Sequence, residues 1–324
     1  MFSKEILTLD SRVEVERIAA MLREQVLGQL RRRGVIIGIS GGIDSAVVAA
    51  LCARALGTTK VLGLLMPEHH SSDDALTLGR LLAERLEIEI IVENIAPALE
   101  SLGCYHRQAE AIRTAVPEYG DGWKFKLVLP SVLKSDRLNI TQLTVQSPDG
   151  QVSTLRLSPD AYRQLVAATN YKQRVRKMTE YYHADRLNYA VSGTPNRLEF
   201  DQGFFVKQGD GSADVKPIAH LYKTQVYQLA QHLGVPEEIR RRPPTTDTFS
   251  MPQTQEEFYF ALPYELMDLC LYAANHGLSA ETVAPVVGLT PAQVELVFKD
   301  IGAKRRATRY LHAQPLLTAS VTEI

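Results

Sequence analysis

The stretch that most constrains this chain is Val35-Ile36-Ile37 followed by GISGGIDSAVVAAL, residues 38–51. An apolar run that feeds through a glycine-rich turn into a second apolar run rich in alanine reads as strand, turn and helix. Such a turn leaves several backbone N–H groups free at the positive end of a helix dipole, and together these make an anion site. Gly38, Gly41 and Gly42 let the main chain approach a ligand closely and adopt positive φ, and phosphate is the natural guest. A Walker loop would need Lys-Ser or Lys-Thr after its last glycine, and a dinucleotide fingerprint would need G-x-G-x-x-G. Neither occurs; the turn reads Ser40-Gly41-Gly42-Ile43-Asp44-Ser45.

The surrounding chain predicts the fold that such a turn belongs to. Ile18, Met21, Leu22, Val26 and Leu30 recur at three- and four-residue steps, which predicts an amphipathic helix over 13–30. A strand over 60–66 (KVLGLLM), a helix over 73–86 and a strand over 88–92 follow. Strands alternating with helices predict an α/β fold, a parallel sheet sandwiched by helices in the Rossmann-like manner. The alternation breaks between about residues 120 and 160. There KFKLVLPSVL, LNITQLTVQ and VSTLRLS read as strands and Ser147-Pro148-Asp149-Gly150 as a hairpin turn. This β-hairpin insertion is expected to be a surface addition that blunts an edge or extends an interface. Helix returns over 159–186, then a strand over 187–192, an irregular glycine-rich stretch to Pro217, and a mostly helical C-terminal region from Lys223. With no internal repeat and no linker, residues 1–324 are expected to form one domain with 120–160 inserted in it.

A net charge of −1 gives no sign of a protein built to coat nucleic acid, so any anion site must be local. The N-terminus is interrupted by charge every few residues, and no window reaches the ~18 apolar residues of a membrane span, so a cytoplasmic protein is expected. Cys52, Cys104 and Cys270 are widely spaced with no CxxC, as expected of buried, reduced thiols.

The pattern SGGxDS after a strand resembles the pyrophosphate loop of ATP pyrophosphatases, which cleave ATP between the α and β phosphates. In that setting residues 38–45 (Gly38, Ile39, Ser40, Gly41, Gly42, Ile43, Asp44, Ser45) would bind ATP. Asp44 suits a Mg²⁺ ligand, since a carboxylate beside a triphosphate needs a bridging cation; the alternative is that Asp44 or Ser45 caps the helix. Residues 192–227, SGTPNRLEFDQGFFVKQGDGSADVKPIAHLYKTQVY, resemble the second signature of NAD synthetases: GT, then Glu, then GFFxKxGDGxAD, then LxK. Asn170, Arg174, Arg176 and Tyr181 resemble that family's Asn-x-x-x-Arg-x-Arg helix. Thr245 stands in a segment similar to PTxD, and Lys304-Arg305-Arg306 in one similar to HKR, with Ala303 where the family has histidine.

By this resemblance Asp44 and Glu199 would hold Mg²⁺, Thr194 would contact the ATP nucleoside, and Lys223 and Thr245 would act as catalytic groups on the departing phosphate oxygens. Arg174, Lys207, Asp214 and Lys304 would bind the acid dinucleotide deamido-NAD. The implied reaction joins ammonia to the carboxylate of deamido-NAD with ATP as co-substrate, in a homodimer. The chain begins Met1-Phe2 rather than with a cysteine and contains no Gly-x-Cys-x-Gly turn, so free ammonia, or ammonia from a separate glutaminase chain, is the expected donor. Two alternatives stay open. One is an amide synthetase of the same fold acting on another carboxylate, suggested by the insertion, Pro195 and Ala303. The other is a DNA-binding regulator, suggested by the helix-turn-helix-like run over 278–311 with its basic end.

Overall fold

The computed structural model describes residues 2–129, 141–245, 248–260 and 262–321. Helix α1, Ser11–Arg23, is capped by Asp10, whose carboxylate accepts from Val13 N at 3.1 Å, and it runs on into a π-helical turn over Glu24–Gln29. Strand β1 (Val35–Gly38) leads through the glycine turn into α2 (Ile43–Leu56). Strand β2 (Val61–Leu65), α3 (Asp73–Leu86) and β3 (Glu89–Val92) complete the first alternation. Helices α4 (Ala96–Ser101) and α5 (Cys104–Arg113) follow. Every residue of β2 is buried, the expected property of a central parallel strand covered on both faces.

The insertion forms its own three-stranded antiparallel sheet from β4 (Lys124–Val128), β5 (Gln142–Gln146) and β6 (Val152–Leu155). The turn expected at Ser147–Gly150 joins β5 to β6: Ser147 N donates to Gln151 O and Gly150 N to Ser147 O, each at 2.9 Å. The parts of the expected strands that fall in 130–140 lie outside the described residues. Helix α6, Pro159–Leu187, starts at the cap Ser158 and stops at Asn188 in the left-handed region. It delivers the chain to β7 (Ala190–Ser192), the fourth strand of the parallel sheet.

The parallel sheet has the order β3-β2-β1-β7. The chain therefore winds outward on one side of β1 and returns on the other, which opens a crevice at the carboxyl ends of β1 and β7, the usual ligand position in such sheets. One core lies between the sheet and α1, α2 and the later helix α8 (Lys223–His232); Val15, Leu22, Val47, Leu51 and Leu229 belong to it. A second, including Ile36, Leu64, Leu99 and Val175, packs α4–α6 on the opposite face. The stretch from 193 to 217 read as irregular contains a short helix, α7 (Arg197–Gln202).

After α8 come α9 (Glu237–Arg241), α10 (Tyr264–Asn275), α11 (Ala280–Val287) and α12 (Pro291–His312), as the helical reading of this region expects. Helices α10–α12 close on a core that includes Met267, Leu271, Val283, Val294, Val297 and Ile301. Cys52, Cys104 and Cys270 are free and buried. Among the described residues no helix is long and apolar enough to cross a membrane.

Candidate active site

The glycine turn folds on itself. Ser45 Oγ, one turn into α2, donates to Gly42 O at 3.0 Å and accepts from Ser40 N at 3.3 Å, while Ser40 Oγ accepts from Gly42 N at 3.3 Å. The serines thus serve the loop, and no side chain caps α2, whose N-cap is Gly42. Its terminal N–H groups remain for a ligand. Gly41 has φ +75°, and a Cβ there would sit 3.0 Å from the Ala75 carbonyl oxygen. A Cβ on Gly38 would come within 2.9 Å of Glu180 Oε1.

Asp44 does not cap the helix. Its Oδ1 accepts from Asn196 Nδ2 at 3.0 Å, and its Oδ2 pairs with Lys223 Nζ. Asn196 is the N-cap of α7, in a reciprocal box with Glu199: Asn196 Oδ1 accepts from Glu199 N at 3.2 Å, and Asn196 N donates to Glu199 Oε2 at 3.1 Å. One asparagine therefore ties both carboxylates. The other Glu199 oxygen, Oε1, accepts from Gln255 Nε2 at 2.9 Å.

Lys223 is 1% exposed at the first turn of α8, placed there by Asp268 of α10, which accepts from Lys223 N at 3.2 Å and Thr224 N at 2.7 Å. Burial pulls the Lys223 ammonium's pKa down, but the facing Asp44 and Glu199 more than offset it, and the net direction is up. Burial first and Asp44 second push the Glu199 carboxyl up to about 8, with Lys223 opposing. Two hard oxygen donors that repel one another make a favourable place for a divalent cation. Among the described residues no three His, Cys, Asp or Glu side chains form a ready-made cage. Two carboxylates alone suit Mg²⁺, which keeps positions for waters and phosphate oxygens; the pair fits the ion.

These groups open into one cavity of about 990 Å³. Of the residues singled out in the sequence, Gly38, Ile39, Ser40, Gly42, Ile43, Asp44, Ser45, Thr194, Glu199, Lys223, Thr245, Arg174, Lys207 and Lys304 all line it. Gly41 lies buried beneath the loop, outside the lining. Asp214 also stands outside the lining; its Oδ2 accepts from Val191 N at 2.7 Å at the edge of β7, and its Oδ1 from Tyr181 OH at 3.2 Å. Along α6, Asn170, Arg174, Arg176 and Lys177 reach the cavity and Tyr181 does not. Thr245 forms a bridge with Thr254; Thr246 and Asp247 of the same segment lie outside the described residues.

Some cavity cations are already engaged. Lys207 Nζ donates to Tyr310 O and Ala313 O, each at 2.9 Å, and Lys304 Nζ to Asp300 Oδ2 and Tyr259 O, each at 2.7 Å. Arg305, next in the basic run, pairs with Asp201 and Asn275. The run read as the basic end of a DNA-binding motif is thus partly turned inward.

The insertion is no surface ornament. Leu127 of β4, with Leu129 and Thr141, forms part of the cavity wall, and the expectation of a mere edge cover is corrected accordingly. Sequence reading also missed Asn196, although N-x-x-E before a helix is a capping-box signal. Missed too were Gln255 and a buried cluster in which Lys172 Nζ meets Glu68 Oε1 at 3.0 Å, His70 Nδ1 at 2.8 Å and Thr248 O at 2.7 Å.

A parallel sheet with a glycine-rich turn at its reversal point, faced by an aspartate and a glutamate, belongs to a nucleotide-binding α/β enzyme. Within that class the chain belongs to the NAD synthase family, whose model matches residues 14–116 and 131–309. It is 70% identical to the NH(3)-dependent NAD(+) synthetase of Mesorhizobium japonicum, over 98% of this chain and 100% of the relative. In fold it is similar to an NMN synthetase from Francisella tularensis, with TM-score 0.65, 22% identity and coverage of 95% of this chain and 98% of the other. It is likewise similar to an NH3-dependent NAD synthetase from Campylobacter jejuni, with TM-score 0.62, 22% identity and coverage of 96% and 100%.

Proposed function

We infer that the protein converts the carboxylate of deamido-NAD into the amide of NAD, consuming ATP and ammonia and releasing AMP and pyrophosphate. The main support from the site is the carboxylate pair, Asp44 and Glu199, tied by Asn196 and faced by buried Lys223 at the mouth of the phosphate loop. The name carried by the Mesorhizobium japonicum relative supports the same reaction and the same nitrogen donor.

A carboxylate resists amidation because oxide is a poor leaving group. Its oxygen therefore attacks the α phosphorus of ATP, the bond to the bridging oxygen of pyrophosphate breaks, and an acyl adenylate forms. Ammonia then attacks the acyl carbon, the bond to AMP breaks, and a proton is lost from nitrogen. Both first-step reactants are anions, so charge must be neutralised where it grows on the departing pyrophosphate. The N–H groups of residues 38–45 hold the phosphates, and Lys223 and Thr245 meet the departing oxygens. Asp44 and Glu199 would hold Mg²⁺, which would supply further neutralisation of phosphate charge. Thr194 contacts the ATP nucleoside, while Arg174, Lys207 and Lys304 bind the acid dinucleotide. Asp214 stands outside the lining and serves the dinucleotide site indirectly, by holding Val191 N of β7, the strand that leads to Thr194. In this reading the enzyme works as a homodimer in the cytoplasm, drawing on free ammonia or on a separate glutaminase chain.

The test is formation of AMP and NAD by the purified protein from Mg-ATP and deamido-NAD with ammonium or glutamine. NAD from ammonium and not from glutamine is the expected result. Absence of AMP with deamido-NAD, together with AMP formation on another carboxylate, would assign the site to the alternative amide synthetase.

A further inference from the structure

The segment after Thr245 has no helix or strand of its own between Thr248 and Gln253, yet its path is set on both sides. On one side it pairs with β4: Phe125 N donates to Ser250 Oγ at 2.8 Å, Met251 N to Phe125 O at 3.1 Å, and Leu129 N to Glu257 O at 3.0 Å. Gln253 Nε2 donates to Leu127 O, and Lys126 Nζ meets Glu257 Oε1 at 2.5 Å. On the other side Thr254 bridges to Thr245, and Gln255 N donates to Pro244 O at 3.0 Å. At the centre, Gln255 Nε2 holds Glu199 Oε1 while Asn196 N holds Oε2. A carboxylate with one amide donor on each oxygen keeps a lone pair on each for a cation, in a fixed orientation. Outer donors of this kind commonly tune metal affinity.

We propose that β4 is a positioning element for the metal site: it fixes the 249–257 strap so that Gln255 orients Glu199, and the same strap seats Thr245 in the cavity wall. The proposal rests on the reading of Glu199 as a Mg²⁺ ligand. Strand β4 lies in the interval between residues 116 and 131 that the family model leaves unmatched, so this strut is an addition to the matched framework.

Two variants test it: Gln255→Leu, which removes the amide, and Gln253→Leu combined with Lys126→Met, which loosens the strap from β4 without touching the site. The readouts are the Mg²⁺ dependence of AMP formation, KM for deamido-NAD, and calorimetric binding of a non-hydrolysable ATP analogue with and without Mg²⁺. Gln255→Leu is expected to weaken apparent Mg²⁺ affinity about tenfold, with KM for the dinucleotide within twofold of the unaltered protein. The strap pair is expected to move in the same direction. Wild-type Mg²⁺ dependence in the strap pair overturns the proposal, as does a KM rise that matches the loss of Mg²⁺ affinity, since general loosening would produce that. If Gln255→Leu does not fold, the strap pair decides. Failure of the unaltered protein to form AMP with deamido-NAD counts against the proposed reaction, and the calorimetric arm then still judges the strut.

Discussion

Replacing His70 by glutamine should remove an acid lability built in behind Thr248 of the cavity wall. Lys172 is 0% exposed, and its ammonium donates to Glu68 Oε1, His70 Nδ1 and Thr248 O. An ammonium has only protons to offer, so His70 Nδ1 must present a lone pair and the ring must be neutral. Burial first, then the Lys172 charge, hold the imidazole down from 6.5 to about 4, with Glu68 opposing. Because the folded pKa lies below the unfolded one, the unfolded chain binds more protons between these values. The neutral ring's contribution is complete above pH 6.5 and is lost as pH falls toward 4. At about 1.36 kcal/mol per pH unit, this group removes about 3 kcal/mol between pH 7 and pH 4, a large share of the ~5–15 kcal/mol that stabilises a typical protein. Glutamine keeps an acceptor for Lys172 and does not titrate. Urea unfolding of both proteins at pH 7, 6, 5 and 4 isolates the His70 contribution, because the other titrating groups are common to both. The wild type should lose about 3 kcal/mol more than His70→Gln over that range. Equal losses would refute the neutral, lone-pair role of His70.

Two substitutions probe the site itself. Gly41→Ala places a side chain at φ +75° and 3.0 Å from the Ala75 carbonyl, so the loop must shift; with a backbone cost of about 1–2 kcal/mol, a weakening of ATP-analogue affinity of roughly tenfold is expected by calorimetry. Lys223→Met leaves Asp44 and Glu199 without their buried cation. A fall of at least about 10²-fold in kcat for AMP formation is expected, together with a thermal stability that Mg²⁺ restores more strongly than in the wild type, read by melting with and without the ion.

The frame of the protein was legible because its signals are local. The apolar runs at 35–37 and 60–66, and the glycines between strand and helix, each constrain their own backbone. The glycine turn also carries its chemical signal locally, since free N–H groups at a helix start need no distant partner. What sequence could not reveal depends on distant pairs. Asn196 acts on Asp44 across 152 positions, and Lys172 on Glu68 across 104. Lys172 carries no signal of its own in the sequence: it sits on the same helix as Asn170 and Arg174, yet it is buried, and its partners Glu68, His70 and Thr248 come from distant segments. The alternating strands of the insertion show an apolar face in sequence without saying what covers it; the strap that pairs with β4 starts more than 100 positions later.

A chain of net charge −1 must bind anions without a basic surface, and the site shows how. Its fixed positive potential comes first from the N-terminus of α2, which costs no formal charge. Three of its lysines are wholly or largely buried and balanced: Lys223 by Asp44, Lys177 by Glu180 at 2.5 Å, and the part-buried Lys304 by Asp300. Lys207 differs, since it donates to the neutral carbonyls of Tyr310 and Ala313 at the end of α12. An incoming phosphate can therefore take up the Lys207 charge without first separating an ion pair, whereas Lys304 must be shared with Asp300. Recognition in such a site follows from where the few uncompensated donors stand, not from long-range attraction, so binding of an anionic substrate should be less sensitive to salt than it would be in a cleft of unpaired surface lysines.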